Sequence, residues 1–254
     1  MKFIKPDSQI LITKSKEDLI ESGTNLYGFE NNLIYFPAIK ISVIKDNPYF
    51  FNAIINLSNY QVIIFQSGHA VRSYKSLIKD MQIDYSNIFI ICIGEKTASY
   101  CKKLNIPVNH IPVKYSAEGL LEEVELLGLK NSNIFIPGSN ISERELVESL
   151  SRFNNKVDFI PVYETILNDE VQIENVKRKK PELFIFTSPS NFRNFNQLLG
   201  IKEVEKYYDG KLIASLGTTT KKAIEKQGLN VDIVPKVFTV SELFKLIKEE
   251  YCLN

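Results

Sequence analysis

Histidine is scarce in this chain of 254 residues, occurring only at His69 and His110, and the three cysteines Cys92, Cys101 and Cys252 form no Cys-x-x-Cys pair. A protein-bound metal needs such ligands clustered at short spacing, so no metal is expected. The odd, separated cysteines read as reduced thiols, with Cys92 in the core. Gly-x-Gly-x-x-Gly and Gly-x-x-x-x-Gly-Lys-[Ser/Thr] are both missing, which disfavours a dinucleotide or P-loop enzyme. Without a Gly-x-Ser-x-Gly elbow, Ser67 and Ser188 are poor candidates for a hydrolase nucleophile. The longest apolar run, Ile88–Ile93, is far below the roughly 20 residues a membrane helix needs, and Met1–Asp7 lacks the apolar region of a signal peptide. A cytoplasmic protein with no membrane partner is therefore expected. A net charge of +1 argues against a nucleic-acid partner, so an anionic ligand would have to be held locally.

What the chain does contain is a stretch that occurs twice. An apolar run leads to Gly94 with Thr97 three residues on, then Pro112 and Ser116, and the plan returns at Gly217 with Thr220, Pro235 and Thr239. Glycine to proline is 112 − 94 and 235 − 217, both 18; glycine to hydroxyl is 116 − 94 and 239 − 217, both 22. Each copy reads as a strand, a glycine turn where a Cβ would obstruct, a hydroxyl-capped helix, a short second strand ending in proline, and a further capped helix. Thr97 and Thr220 fall in the first turn of the helix after the glycine. Such a turn offers backbone N–H groups and the positive end of a helix dipole to an anion, or it is simply a capped strand-to-helix connection.

The remaining chain also pairs off. The unit 9–36 corresponds to 133–160, where Gly138 marks a strand-to-helix turn and a helix is predicted around Ser142 to Phe153. Val62–Phe65 and Leu183–Phe186 are buried-type strands ending near Ser67 and Ser188, which read either as anion donors or as helix caps. Extended, proline-marked segments lie at 37–42 and 161–166. Lys177–Lys180, just before Pro181, reads as a solvated helix C-terminus. His69 follows a strand-end serine and is placed either against a ligand or at the surface. Strand and helix alternate throughout, which implies an α/β protein with two doubly wound parallel-sheet domains and an internal duplication. Ligands in such sheets bind beyond the strand carboxyl ends, here Thr13, Ser67, Gly94, Gly138, Ser188 and Gly217.

These motifs, taken in order over nearly the whole chain, resemble the uroporphyrinogen-III synthase family. The segments concerned are Phe65–Ser67 with Ala70 and Val71, Gly94 with Thr97, Ser116–Leu121, Gly138 with Arg144, Val162–Thr165, Phe186–Ser190, and Gly217 with Thr219 and Thr220. The chain departs from the family pattern at Gln66, Pro137, Asn191 and Lys221. The resemblance implies residues 1–36 with 167–254 as one discontinuous domain, 42–160 as the other, and a two-stranded linker at 37–41 and 161–166. It implies a monomeric lyase without cofactor that closes hydroxymethylbilane to uroporphyrinogen III in the interdomain cleft, with loss of water and inversion of the last ring. Tyr163 matches the tyrosine proposed to assist departure of the hydroxyl; its other reading is an aromatic packed at the domain seam. Ser67, Gly94, Thr97, Gly138, Ser188, Ser190, Gly217, Thr219 and Thr220 are the implied substrate contacts. A non-catalytic relative that binds a tetrapyrrole or another anion would keep the same donors, and a two-lobed metabolite sensor is the remaining alternative.

Overall fold

The computed structural model describes residues 3–140 and 144–251. The chain divides into two compact units, Met1–Lys40 with Leu167–Asn254, and Ile41–Ile166.

The first unit holds β1 (Ile10–Ile12), α1 (Lys16–Glu21) and β2 (Leu33–Tyr35) from the start of the chain. The second begins around β3 (Ile39–Val43) and continues through α2 (Pro48–Ile55), β4 (Val62–Phe65), α3 (Gly68–Leu77), β5 (Phe89–Cys92), α4 (Glu95–Lys103) and α5 (Ala117–Glu123). It then adds β6 (Asn133–Ser139), α6 (Arg144–Ser151) and β7 (Lys156–Leu167). The chain returns to the first unit with α7 (Ile173–Lys179), β8 (Leu183–Phe186), α8 (Pro189–Leu199), α9 (Val204–Tyr208), β9 (Leu212–Ser215), α10 (Thr218–Glu225) and α11 (Val240–Glu250).

In the first unit the sheet runs β2-β1-β8-β9, every pairing parallel, with Ile10 opposite both Leu33 and Leu183 and Leu183 opposite Leu212. Parallel strands need crossovers that cover both faces, which is why these strands are apolar at nearly every position. Ile10, Ile12, Ile185 and Ala214 pack toward Leu243, Phe244 and Ile247 of α11, whereas Leu11, Phe184, Phe186 and Ile213 pack toward Phe192, Phe195 and Tyr208. Alternate residues thus feed two separate cores.

The second unit repeats the plan as β3-β7-β6-β4-β5, its last four strands parallel. Its β7, β6, β4 and β5 stand in the order of β2, β1, β8 and β9. Phe65, Ile90 and Phe135 pack with Phe50, Val71 and Tyr74 on one face; Ile64, Ile91 and Ile136 pack with Leu120, Leu146 and Leu150 on the other.

Three sequence expectations change. The short strands before Pro112 and Pro235 reduce to one bridge each, Ile91 with His110 and Ala214 with Ile233. Backbone bonds remain there, Cys92 N–H to His110 O and Ser215 N–H to Ile233 O, both at 3.0 Å, and side chains add to them, since Ile90 N–H donates to Asn109 Oδ1 at 2.7 Å and Ile213 N–H to Asp232 Oδ2 at 2.9 Å. Second, β7 is one unbroken strand through Pro161, which the proline tolerates because its missing N–H removes only one ladder bond. Third, Gly138 lies inside β6 and not in a turn. A Cβ there would come 2.3 Å from Phe159 Cζ, so the glycine makes room for a ring on the neighbouring strand.

The basic run at Lys177–Lys180 ends α7, with Lys177 paired to Glu174 and Lys180 in the left-handed region. Cys92 and Cys101 are buried with their sulfurs 3.4 Å apart; that contact, then burial, pushes the Cys101 thiol above its ordinary range. Cys252 and the expected helix start at Ser142 lie outside the described residues.

Candidate active site

In the second unit the residues singled out from the sequence gather where β4 and β5 end and α3 and α4 begin. Ser67 adopts extended backbone and its Oγ accepts from Ala70 N–H at 3.1 Å, so it caps α3. Having accepted there, the hydroxyl retains a proton, and its oxygen lies 3.3 Å from Tyr163 Oη. Tyr163 comes from β7, its carbonyl accepting from Asn140 N–H at 2.9 Å just past the register shift at Gly138 and Ser139. The rings of His69 and Tyr163 lie 6.0 Å apart between centroids.

Arg72 and Tyr100 join this group without having been expected. The Arg72 guanidinium reaches His69 Nδ1 at 2.9 Å, one helical turn away, and sits 4.7 Å over the Tyr100 ring. Gly68 permits this, because a Cβ at that position would lie 2.3 Å from Tyr100 Cδ2. The His69-to-Arg72 spacing of three was visible on a predicted helix; the Tyr100 contact depends on how α3 packs against α4. His110 lies elsewhere, its Nε2 2.6 Å from Glu123 Oε2.

The two glycine turns are alike in one respect and differ in another. Neither α4 nor α10 has a side-chain cap, which corrects the hydroxyl-capped expectation and leaves their first-turn N–H groups without a side-chain acceptor. Gly94 takes φ 94°, where glycine is favoured, whereas Gly217 at φ −158° is ordinary extended backbone. No conformational need for glycine therefore exists at Gly217, where a Cβ would meet the Phe238 ring at an ordinary 3.6 Å. Thr97 does lie in the first turn, but its hydroxyl donates back to Ile93 O at 3.1 Å and the residue is buried. That proton is spent within the helix and not offered outward. Thr220 is buried as well, while Thr219 beside it is exposed.

In the first unit Ser188 caps α8 by accepting from Asn191 N–H at 3.1 Å, and its oxygen lies 2.9 Å from Ser190 Oγ. Thr13 is a buried tie between β1 and β8: its hydroxyl donates to Ile185 O and accepts from Thr187 N–H, both at 3.2 Å. Asn191 adds Nδ2 bonds to Thr13 O and Thr187 Oγ1. This corrects the reading of Thr13 as a ligand-facing strand end. Thr13→Val keeps the shape but strands the Thr187 N–H, and should lower unfolding free energy by about 1–3 kcal/mol. An unchanged denaturant midpoint would show that water satisfies that group. Nearby, α8 and α10 flank a groove of about 880 Å³ whose lining includes Pro189, Thr219, Arg193, Lys202, Lys222 and Lys226, with no carboxylate among its lining residues.

A sequence model of the family described as uroporphyrinogen-III synthase HemD matches residues 26–245. The chain belongs to the uroporphyrinogen-III synthase family. It is 25% identical to a uroporphyrinogen-III synthase of Chlorobaculum parvum over 248 residues, covering 94% of this chain and 98% of that one. It is 29% identical to a putative uroporphyrinogen-III synthase of Methanocaldococcus jannaschii over 249 residues, with coverage of 94% and 98%. Among solved structures, the uroporphyrinogen-III synthetase of Helicobacter pylori aligns with TM-score 0.61 at 17% identity, covering 94% of this chain and 97% of that one. A mutant Thermus thermophilus uroporphyrinogen III synthase aligns with TM-score 0.56 at 14% identity, covering 95% and 96%. These structures share the α/β fold with parallel sheets. The family is one of porphyrin and heme biosynthesis. Among the described residues no helix is long and apolar enough to cross a membrane.

Proposed function

We propose that this chain converts hydroxymethylbilane to uroporphyrinogen III, closing the macrocycle with loss of water and inversion of the terminal pyrrole, without a cofactor. The observation that carries the reading is the approach of Ser67 Oγ, just past the carboxyl end of β4, to Tyr163 Oη, from within β7, at 3.3 Å in a member of this family. The Tyr163 phenol donates its proton to the departing hydroxyl, which leaves as water while a pyrrole nitrogen supplies the electrons. Ser67 then donates to the phenolate left behind.

The substrate carries an acetate and a propionate on every ring, and each unit, taken by itself, offers donors suited to such groups. Candidate donors are Ser67 and the α4 turn at Gly94 in the second unit, with Ser188, Ser190, Thr219 and the α10 turn at Gly217 in the first. Each carboxylate at a helix N-terminus gains about 0.3–1 kcal/mol. Thr97 and Gly138 act by shaping these turns and strands, since the Thr97 hydroxyl donates to Ile93 O and Gly138 makes room for Phe159, and Thr220 is buried in the first turn of α10. The basic lining between α8 and α10 supports an acidic substrate.

The test is the product and not the consumption of substrate, because the bilane cyclises in water to the un-inverted isomer I. Mainly isomer III is expected from the purified chain with nothing added, as positioning is what brings the substituted carbon to the reactive methylene. A folded protein that binds the bilane yet releases only isomer I would make this a non-catalytic binder.

A further inference from the structure

Tyr115 and Phe238 stand at the same place in the two copies of the repeat, 115 − 94 and 238 − 217, both 21 residues after the glycine. In each copy the ring leans on that glycine, its nearest atoms 3.6 Å from where a Cβ would be. Both rings are nevertheless 61% and 54% exposed, in a protein whose other aromatic side chains mostly fill the two pairs of cores. A ring whose task was to seal the glycine turn would bury its outer face too, and duplicated exposure of large apolar rings is what a binding surface leaves behind.

Their backbones are fixed, since each is followed at once by a capping residue. Ser116 accepts from Gly119 N–H at 3.1 Å and Thr239 from Glu242 N–H at 3.2 Å, starting α5 and α11. Each ring also borders the start of a helix without a side-chain cap, α4 or α10. A flat ligand ring lying on Tyr115 or Phe238 would carry an acidic substituent toward those N–H groups.

We propose that Tyr115 and Phe238 are equivalent stacking positions, one in each unit, on either of which a carboxylated pyrrole ring of a tetrapyrrole can lie. This rests on the tetrapyrrole reading above and assigns to each unit a platform for the ring itself, beside the donors for its carboxylates. Both side chains are exposed, so alanine at either position leaves the cores intact.

The experiment titrates the wild-type chain and its variants with uroporphyrin, a stable planar tetrapyrrole with the same carboxylates, and separately measures the isomer ratio from the bilane. Tyr115→Ala and Phe238→Ala should each weaken uroporphyrin binding about tenfold, as for the loss of one ring stack. Tyr115→Phe and Phe238→Tyr should bind as wild type does, and the alanine variants should release a larger share of isomer I. Wild-type affinity in both alanine variants, or no uroporphyrin binding by the wild type, overturns the proposal. Isomer III from the wild type together with unaffected alanine variants would remove the platforms and keep the enzyme. Isomer I alone, with binding lost in the alanine variants, would keep the platforms and remove the enzyme.

Discussion

Tyr163→Phe is expected to lower kcat about 100-fold, the low end for loss of a general acid, while the product stays isomer III. The substitution keeps the ring that packs near His69 and removes only the oxygen that faces Ser67 at 3.3 Å. A role in packing alone would leave kcat unchanged, and a role in positioning would shift the isomer ratio; proton donation lowers the rate without touching that ratio. Ser67→Ala has a different signature. It removes both the α3 cap and the partner of the phenol, so some stability, about 1 kcal/mol for a lost cap, should fall along with the rate. Full activity in Tyr163→Phe would discard the chemical role of that residue and retain the family.

Phe186→Ala should cost about 3–5 kcal/mol of unfolding free energy, the range for deleting a buried aromatic ring. Phe186 is fully buried and its ring meets Phe192 at 5.0 Å and Phe195 at 5.7 Å, both edge-on. Those two rings belong to α8, whose cap Ser188 follows Phe186 by two residues. The cavity would therefore lie directly behind the Ser188–Ser190 turn. Against a typical total of 5–15 kcal/mol such a loss is large, and the first unit should lose its structure at lower denaturant than in the wild type. A midpoint moved by less than about 1 kcal/mol would mean that α8 collapses onto the gap.

The alternation of strands and helices was legible because parallel strands buried on both faces must be continuous apolar runs, as in Val62–Phe65 and Leu183–Phe186. The duplication was legible because a repeated turn repeats its spacing. Position within a turn, however, does not say where a hydroxyl points. Thr97 lies where the sequence put it, yet its proton goes to Ile93 O because the carbonyl four residues back is the nearest acceptor in a helix. Gly94 and Gly217 look identical in sequence and only Gly94 uses its freedom. The reason for Gly138 is a ring on the adjacent strand, Phe159, which no local pattern signals. Arg72 and Tyr100 likewise meet only because α3 and α4 pack together, and the Asn109 and Asp232 side chains supplement single bridges where apolar patterning had suggested a strand.

The pairing of β1 with β8 joins residues 172 positions apart, as in the Thr13 to Ile185 bond, and it imposes an order on biosynthesis. Ile10–Ile12 and Leu33–Tyr35 leave the ribosome first, but their sheet cannot close until Leu183–Phe186 and Leu212–Ser215 follow. At about 5–20 residues per second of translation, the nascent apolar strands wait on the order of 10–30 s. Ile41–Ile166 has no such wait, since all its strands come from one continuous stretch. The later-synthesised segment therefore completes the fold that the first-synthesised one began. During that interval the edges of Ile10–Ile12 and Leu33–Tyr35 are the chain's chief exposure to misassembly, and a chaperone that shields short apolar strands would act there first.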